Sequence, residues 1–243
     1  MARILACIDT SSYANSVCDH AGWFASDPDI GVEVLHVSAS DPTGDQLVER
    51  AVRRLQEEGV GPVTSAHLAG DVVAIAAGRG AEVIVMGKRG AASEAERRRL
   101  GSNVDRMVRA TATPVCLTSK LFLPIRRGLV LLDADLAHRS AVDFAACEPR
   151  LADLSMDVVV MARPGEDPQP KADWTRSTLN VEGARVFTLR AAELNDAVAQ
   201  HMESRAADLI VISRAAIGAD PAGNLNLIED RGLWGSRTPV LIC

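Results

Sequence analysis

The feature that most limits what this chain can fold into is an internal repeat, in which four segments recur in the same order about 125 residues further along. Each segment is an apolar, strand-like run, and the four pairs are 4–9 with 129–133, 31–37 with 155–161, 81–87 with 207–213, and 114–117 with 239–242. A single match of this kind arises easily by chance. Four collinear matches at nearly constant spacing indicate a duplicated domain.

The repeat predicts two domains, residues 1–120 and 127–243. A length of 243 residues accommodates two domains of ordinary size. Between the copies, Lys120 and Pro124 interrupt the apolar pattern, as expected of a short connector.

The first copy alternates short continuous apolar runs with longer stretches that have helical spacing. Continuous runs indicate strands buried on both faces, which is typical of a parallel sheet covered by helices. The predicted strands are 4–8, 32–37, 63–68, 83–86 and 115–117, and the predicted helices are 13–26, 43–58, 71–79 and 102–110. The predicted fold is therefore α/β, with two tandem doubly wound open parallel five-stranded sheets and helices on both faces. In the second copy, Pro164, Pro168 and Pro170 predict that the helix after the second strand does not form.

Charge and composition exclude several classes of partner. The net charge is −6 and the longest basic run is Arg97 to Arg99, which argues against nucleic acid. No apolar run approaches the roughly 18 residues of a membrane span, and the N-terminus lacks the pattern of a signal peptide. The histidines lack metal-ligand spacing. Five cysteines without a C-x-x-C pair favour a reducing compartment, so the predicted location is cytoplasmic.

One segment carries recognisable chemistry: Gly87-Lys-Arg-Gly90, ten further residues, and then Gly101-Ser102. It follows a predicted buried strand, and its glycines permit close approach of a ligand to the backbone. Gly101 and Ser102 begin a predicted helix, whose N-terminal amides and dipole favour an anion. Alternatively, Ser102 is only a helix cap that Asp105 completes as a capping box. These residues alone leave both interpretations open.

This arrangement resembles the universal stress protein family, whose ATP-binding members carry G-x2-G-x9-G-[ST] after the fourth strand. They also carry an Asp at the end of the first strand and a V-x-H-V-like second strand. The matching residues here are Gly87, Gly90, Gly101, Ser102, Asp9 and 35–37. The resemblance implies a universal stress protein-like, adenine nucleotide alpha hydrolase-like fold for both copies. The spacing departs from the family pattern by one residue, within a polar loop where insertions are tolerated, which predicts altered phosphate contacts.

By position, the resemblance implies that the first domain binds ATP or AMP, with or without Mg²⁺. The residues implied around adenine and ribose are Cys7, Ile8, Asp9 and Val37, and those around ribose and phosphates are Met86, Gly87, Arg89, Gly90, Gly101, Ser102 and Asn103. On its own chemistry, Asp9 is suited either to accept ribose or adenine hydrogens, to hold Mg²⁺ through water, or to cap the next helix. Arg97 to Arg99 either reach the phosphates or form a solvated cluster.

The second domain has lost the glycine motif. The residues at the motif positions are Ser213, Ala216, Leu227 and Ile228, and a similar pair, Gly235-Ser236, lies too close to Pro239 for a helix to follow. We therefore predict that this domain does not bind ATP. The resemblance implies that it packs against the first domain, imitating the dimer of single-domain relatives, and a homodimer of the whole chain stays open.

The sequence favours a nucleotide-binding stress-response protein. The alternative is an interaction or signalling module of the same fold that binds no nucleotide. No nucleophile and base pair emerges, and His36, inside an apolar strand, is interpreted as a hydrogen-bonded core residue. Enzymatic activity is therefore left unassigned, with slow ATP hydrolysis as its upper limit.

Overall fold

The computed structural model describes residues 3–38, 42–93, 100–163, 165–179, 183–190, 194–217 and 238–243. The chain forms two compact units, Met1–Phe122 (unit 1) and Leu123–Cys243 (unit 2). In each unit, parallel strands alternate with helices to build an open sheet, which confirms the predicted α/β class. No helix in the described ranges is both long and apolar enough to cross a bilayer.

Unit 1 follows the predicted order of elements closely. Its strands are β1 (Arg3–Ile8), β2 (Gly31–Val37), β3 (Val63–Leu68), β4 (Val83–Gly87) and β5 (Val115–Thr118), and its helices are α1 (Ala14–Phe24), α2 (Gly44–Glu57), α3 (Val72–Ala77) and α4 (Ser102–Ala110). The strand order is β3-β2-β1-β4-β5, and all pairs are parallel. The order reverses between β1 and β4, which makes their carboxyl ends the switch point where such sheets bind ligands.

The helices of unit 1 form because apolar residues recur on one face. In α4, Val104, Met107 and Val108 are buried, at the spacing of a single helical stripe. Burying each such side chain stabilises the fold by about 1.5–3 kcal/mol. This packing fixes the direction of α4, and therefore where its N-terminus meets the end of β4.

Unit 2 repeats this plan. Its strands are β6 (Arg127–Leu132), β7 (Ser155–Met161), β8 (Arg185–Leu189), β9 (Leu209–Ile212) and β10 (Val240–Ile242), and its helices are α5 (Ser140–Cys147), α6 (Pro149–Ala152), α7 (Gln169–Leu179) and α8 (Leu194–Ser204). The strand order is β8-β7-β6-β9-β10. The register is also repeated, because Ile4 of β1 pairs with Val32, and Gly128 of β6 pairs with Met156, each 124 positions later. Side-chain bonds follow the same offset: the Ser16 hydroxyl donates to the Ser119 carbonyl, and the Ser140 hydroxyl to the Cys243 carbonyl.

The prediction that prolines prevent a helix after β7 is wrong, because α7 occupies that segment. Pro170 is the second residue of the helix, and amides of the first turn have no acceptor within the helix, so the missing N–H removes no bond. The Pro168 carbonyl accepts the amide of Ala172 at 3.0 Å. Pro164 lies outside the described residues.

His20 in α1 should make the stability of unit 1 depend on pH. Its ring is buried, with Nδ1 2.6 Å from the Ser16 carbonyl, and burial lowers the pKa of the ring to about 4. An unfolded histidine has a pKa of about 6.5, so between these values the unfolded chain binds a proton that the folded chain excludes. The free energy of unfolding should therefore fall by about 2 kcal/mol from this residue alone as pH drops from about 7 to about 5.

The measurement is urea unfolding of the parent and of His20→Gln at both pH values. Glutamine does not titrate, so the variant should lose less stability over the same interval. An equal loss in both proteins would show that His20 is not the group responsible.

Candidate functional site

The carboxylate of Asp9 joins the loops that follow β1 and β4. Its Oδ1 accepts the amide of Ser11 at 3.0 Å, and its Oδ2 accepts the amide of Ala91 at 2.9 Å. A Cβ atom added to Gly90 would lie 2.7 Å from Oδ2, so glycine is needed there. Because the residue preceding α1 is Tyr13, Asp9 closes a turn and does not cap the helix. A carboxylate is thus held at the switch point of the sheet.

The turn that begins α4 packs against the same glycine turn. The amide of Gly101 donates to the Lys88 carbonyl at 3.0 Å, and a Cβ on Gly101 would lie 3.3 Å from the amide nitrogen of Gly90. Gly101 is the N-cap, without a side-chain cap, and Ser102 is the first helical residue, so the capping-box interpretation does not hold. The amides of Ser102 and Asn103 have no acceptor among the described residues, and both residues are exposed.

Tyr13 covers the other glycine of the turn, Gly87. A Cβ on Gly87 would lie 2.7 Å from the Cβ of Tyr13, whose ring is buried. The Arg89 guanidinium donates to the Tyr13 hydroxyl at 3.4 Å and is itself buried. Lys88 is fully buried, and burial, followed by the charge of Arg89, lowers its pKa to about 7. Both basic side chains therefore point into the protein, and the turn presents its backbone.

The remaining predicted residues lie at or near the strand ends. Cys7 and Met86 are buried within the sheet, and burial raises the pKa of the Cys7 thiol to about 12. Val37 ends β2 and is half-buried. The preceding His36 is buried with its Nδ1 3.0 Å from the Ile8 carbonyl, which confirms its interpretation as a hydrogen-bonded core residue.

A cleft of about 260 Å³ opens beside Asp9, between α1 and α2. It is lined by apolar residues of the sheet and both helices and by the polar residues that follow β1, and its lining comprises Ile8, Asp9, Thr10, Ser11, Ser12, Ala14, Asn15, Cys18, Leu47, Arg50 and Ala51. Its volume is close to the lower limit of about 300 Å³ for small-molecule sites.

Sequence reasoning missed most of this cleft because it took residues 10–12 as helix caps. The structure shows Tyr13 at the cap position, without a side-chain cap bond. The available signal was three hydroxyl side chains in a row directly after a strand end.

Unit 2 is built differently at the matching strand ends. Asp133, which corresponds to Asp9, accepts the amide of Asp135 at 2.8 Å and lies 2.6 Å from Nδ1 of His138. At the position of the first glycine, the Ser213 hydroxyl lies 2.6 Å from that of Ser140. The second carboxylate oxygen of Asp133 thus contacts a histidine, whereas that of Asp9 accepts the amide of Ala91, and Ser213 stands where unit 1 has Gly87.

Some predicted positions lie outside the described residues, namely Arg97 to Arg99, Leu227, Ile228, Gly235 and Ser236. Within the described part of the chain, no group of three or more His, Cys, Asp or Glu side chains is arranged to hold a metal ion. All five cysteines are free thiols.

No protein-family model matches this sequence. A curated relative, universal stress protein Slr1230 of Synechocystis, is 25% identical over 256 residues, covering 87% of this chain and 89% of its own length. A putative universal stress protein from Pseudomonas aeruginosa has the same fold, with a TM-score of 0.68, 16% identity, and coverage of 99% of this chain and 92% of that one. A universal stress protein from Archaeoglobus fulgidus also has a TM-score of 0.68, with 17% identity and coverage of 99% and 97%.

These likenesses and the repeated sheet define a tandem α/β protein with its candidate site at the switch point of the first copy. The chain is similar over 87% of its length to a curated universal stress protein, and it has the fold of two-domain universal stress proteins.

Proposed function

We propose that unit 1 binds an adenine nucleotide, ATP or AMP, and that the protein acts in a cytoplasmic stress response. The observation that carries this proposal is the position of Gly90. One side of this glycine faces the carboxylate of Asp9, and the other meets Gly101, which begins α4. Gly90 therefore lies between two groups suited to a nucleotide. On one side is a carboxylate that can accept ribose or adenine hydrogens, and on the other are helix amides that can bind phosphates.

Each part has a chemical role in this proposal. The exposed amides of Ser102 and Asn103, together with the positive end of the helix dipole, favour phosphate oxygens. The Asp9 carboxylate accepts two amides and keeps lone pairs for ligand hydroxyl or amino groups. Ile8 and Val37 supply apolar surface at the strand ends. Mg²⁺ would be held by the phosphates and water with Asp9 as the protein carboxylate in reach of the turn.

Unit 2 is proposed to bind no nucleotide and to serve as the packing partner of unit 1. Two observations support this proposal: His138 contacts the Asp133 oxygen whose counterpart in Asp9 binds the amide of Ala91, and Ser213, which contacts Ser140, replaces Gly87. The pairing of the two units and any homodimer of the chain remain part of the proposal.

Ser102→Pro tests the phosphate site by removing one amide at little structural cost. Proline is favoured as the first residue of a helix. The preceding residue must be extended, and Gly101 is, with φ −61 and ψ 145. A hydrogen bond to a charged group contributes about 1.5–3 kcal/mol, so affinity for Mg-ATP should fall roughly tenfold to a hundredfold. Isothermal titration calorimetry measures the affinity, and circular dichroism checks the helix content.

Val72→Pro is the matched control. It also places proline at the first residue of a helix, α3, after the extended Asp71, and should leave ATP affinity unchanged. Ser102→Ala removes the hydroxyl but keeps the amide, so it measures the contribution of the hydroxyl to affinity separately. The proposal fails if the parent shows no saturable ATP binding, which is the result expected of a non-binding signalling module. Equal affinities for Ser102→Pro and the parent would show that the phosphates lie elsewhere.

A further inference from the structure

In unit 2 the ammonium of Lys171 lies at the carboxyl ends of β6 and β7. Its Nζ donates to the carbonyl of Met161 at 2.8 Å and to that of Ala134 at 3.1 Å, and lies 2.7 Å from a carboxylate oxygen of Glu166. An ammonium has three N–H donors, so these three acceptors satisfy it completely. The side chain is only 8% exposed. The gap between the two strand ends is thus bridged by the protein's own cation.

Unit 1 has Leu47 at the position of this lysine. Apart from Gly44 at the start of α2, the buried positions of the two helices match at an offset of 124, and they are 47, 48, 51 and 55 in α2 and 171, 172, 175 and 179 in α7. The paired strands keep the same offset of 124. By that offset, Ala134 corresponds to Thr10, and Met161 corresponds to Val37.

Because unit 1 has a leucine where unit 2 has a lysine, the two units differ in whether their strand-end carbonyls are free to bind a ligand. Leu47 and Thr10 both line the open cleft of unit 1, and leucine has no donor that could bridge two carbonyls. In unit 2 the bridge is held in place, because Glu166 also accepts the amide of Arg163 at 2.8 Å. The bond to Lys171 lowers the pKa of Glu166, which favours the charged carboxylate.

We propose that the ammonium of Lys171 occupies, at the strand ends of unit 2, the position that a ligand takes in unit 1, and that the leucine–lysine difference at this position decides which unit accepts a ligand. The ligand class is the adenine nucleoside or nucleotide of the proposed function, on which this inference rests. Lys171→Leu removes the bridging donor. The Ala134 and Met161 carbonyls then become acceptors for a ligand that carries an amino group.

The test is an exchange of the two residues, with adenosine as the probe because unit 2 lacks the glycine turn for phosphates. Calorimetry should give one equivalent bound by the parent, two by Lys171→Leu and none by Leu47→Lys. The double exchange should again bind one equivalent. Glu166→Gln is the control. In this variant the Lys171 ammonium keeps its bonds to both carbonyls, so the stoichiometry should stay at one. Circular dichroism verifies folding of each variant.

The outcomes separate this inference from the proposed function. If the parent and Lys171→Leu each bind one equivalent, the inference is overturned and nucleotide binding by unit 1 stands. If the parent binds none and Lys171→Leu binds one, the proposed function fails and the inference stands. Absence of binding in both proteins overturns both. Should Lys171→Leu not fold, Leu47→Lys decides: loss of adenosine binding supports the inference, and unchanged binding overturns it.

Discussion

Replacing Gly90 with alanine should weaken ATP binding by roughly tenfold to a hundredfold. The added methyl carbon would lie 2.7 Å from Oδ2 of Asp9, so the carboxylate must leave its position and its bond to the Ala91 amide. A displaced carboxylate would also lose its proposed bond to the ribose or adenine, and a charge-assisted bond of that kind contributes about 1.5–3 kcal/mol, where about 1.4 kcal/mol corresponds to a factor of ten in affinity. Calorimetric titration with Mg-ATP measures the change.

Gly78→Ala provides the matched control for this substitution. A methyl carbon there would lie 3.5 Å from the Ala74 carbonyl, an ordinary contact, and the backbone φ of −78 suits alanine. ATP affinity should equal that of the parent. If Gly90→Ala also binds like the parent, the contact between the glycine turn and Asp9 plays no part in nucleotide binding.

Asp157→Ala in β7 should cause a large loss of stability in unit 2. This carboxylate is 9% exposed and accepts bonds from Arg185 at 2.7 Å, from Arg205 at 3.1 Å and from His201 at 3.1 Å. Removing a partner of a buried ion pair costs about 3–5 kcal/mol, but both guanidinium groups reach water here. We expect the free energy of unfolding of unit 2 to fall by about 2–4 kcal/mol. Urea unfolding and amide exchange in β7 measure the loss.

Asp153→Ala removes an exposed carboxylate near Arg150 and should cost less than about 0.5 kcal/mol. A similar loss in both variants would contradict the role assigned to Asp157. At the matching position of β2 in unit 1, buried Glu33 also pairs with two arginines, Arg3 and Arg79. The repeat thus preserves an ion-pair cluster as well as the strands.

The sheet and the glycine turn could be predicted because their signals are local. The continuous apolar run 83–86 became β4 (Val83–Gly87), and the periodic segment 102–110 became α4 (Ser102–Ala110). Buried strands and amphipathic helices depend mostly on the residues within them. For the same reason the glycines, which follow a strand and begin a helix, were placed correctly at the strand ends.

The parts that could not be predicted depend on packing between distant segments. The resemblance implied that Arg89 lies near ribose and phosphates, and nothing local to it indicates that tertiary packing buries both Arg89 and Lys88. Tyr13 and Leu47 joined the site only because α1 and α2 cover the end of β1. Lys171 resembles any lysine in a helix until the fold brings it to two strand-end carbonyls.

A crystal structure of the protein grown with excess Mg-ATP would show directly whether unit 1 holds the nucleotide. We expect one nucleotide in unit 1, with phosphate oxygens within hydrogen-bonding distance of the Ser102 and Asn103 amides and with Asp9 facing its ribose or adenine. A nucleotide bound only in unit 2, or no nucleotide at the end of β4 despite the excess, would contradict this expectation.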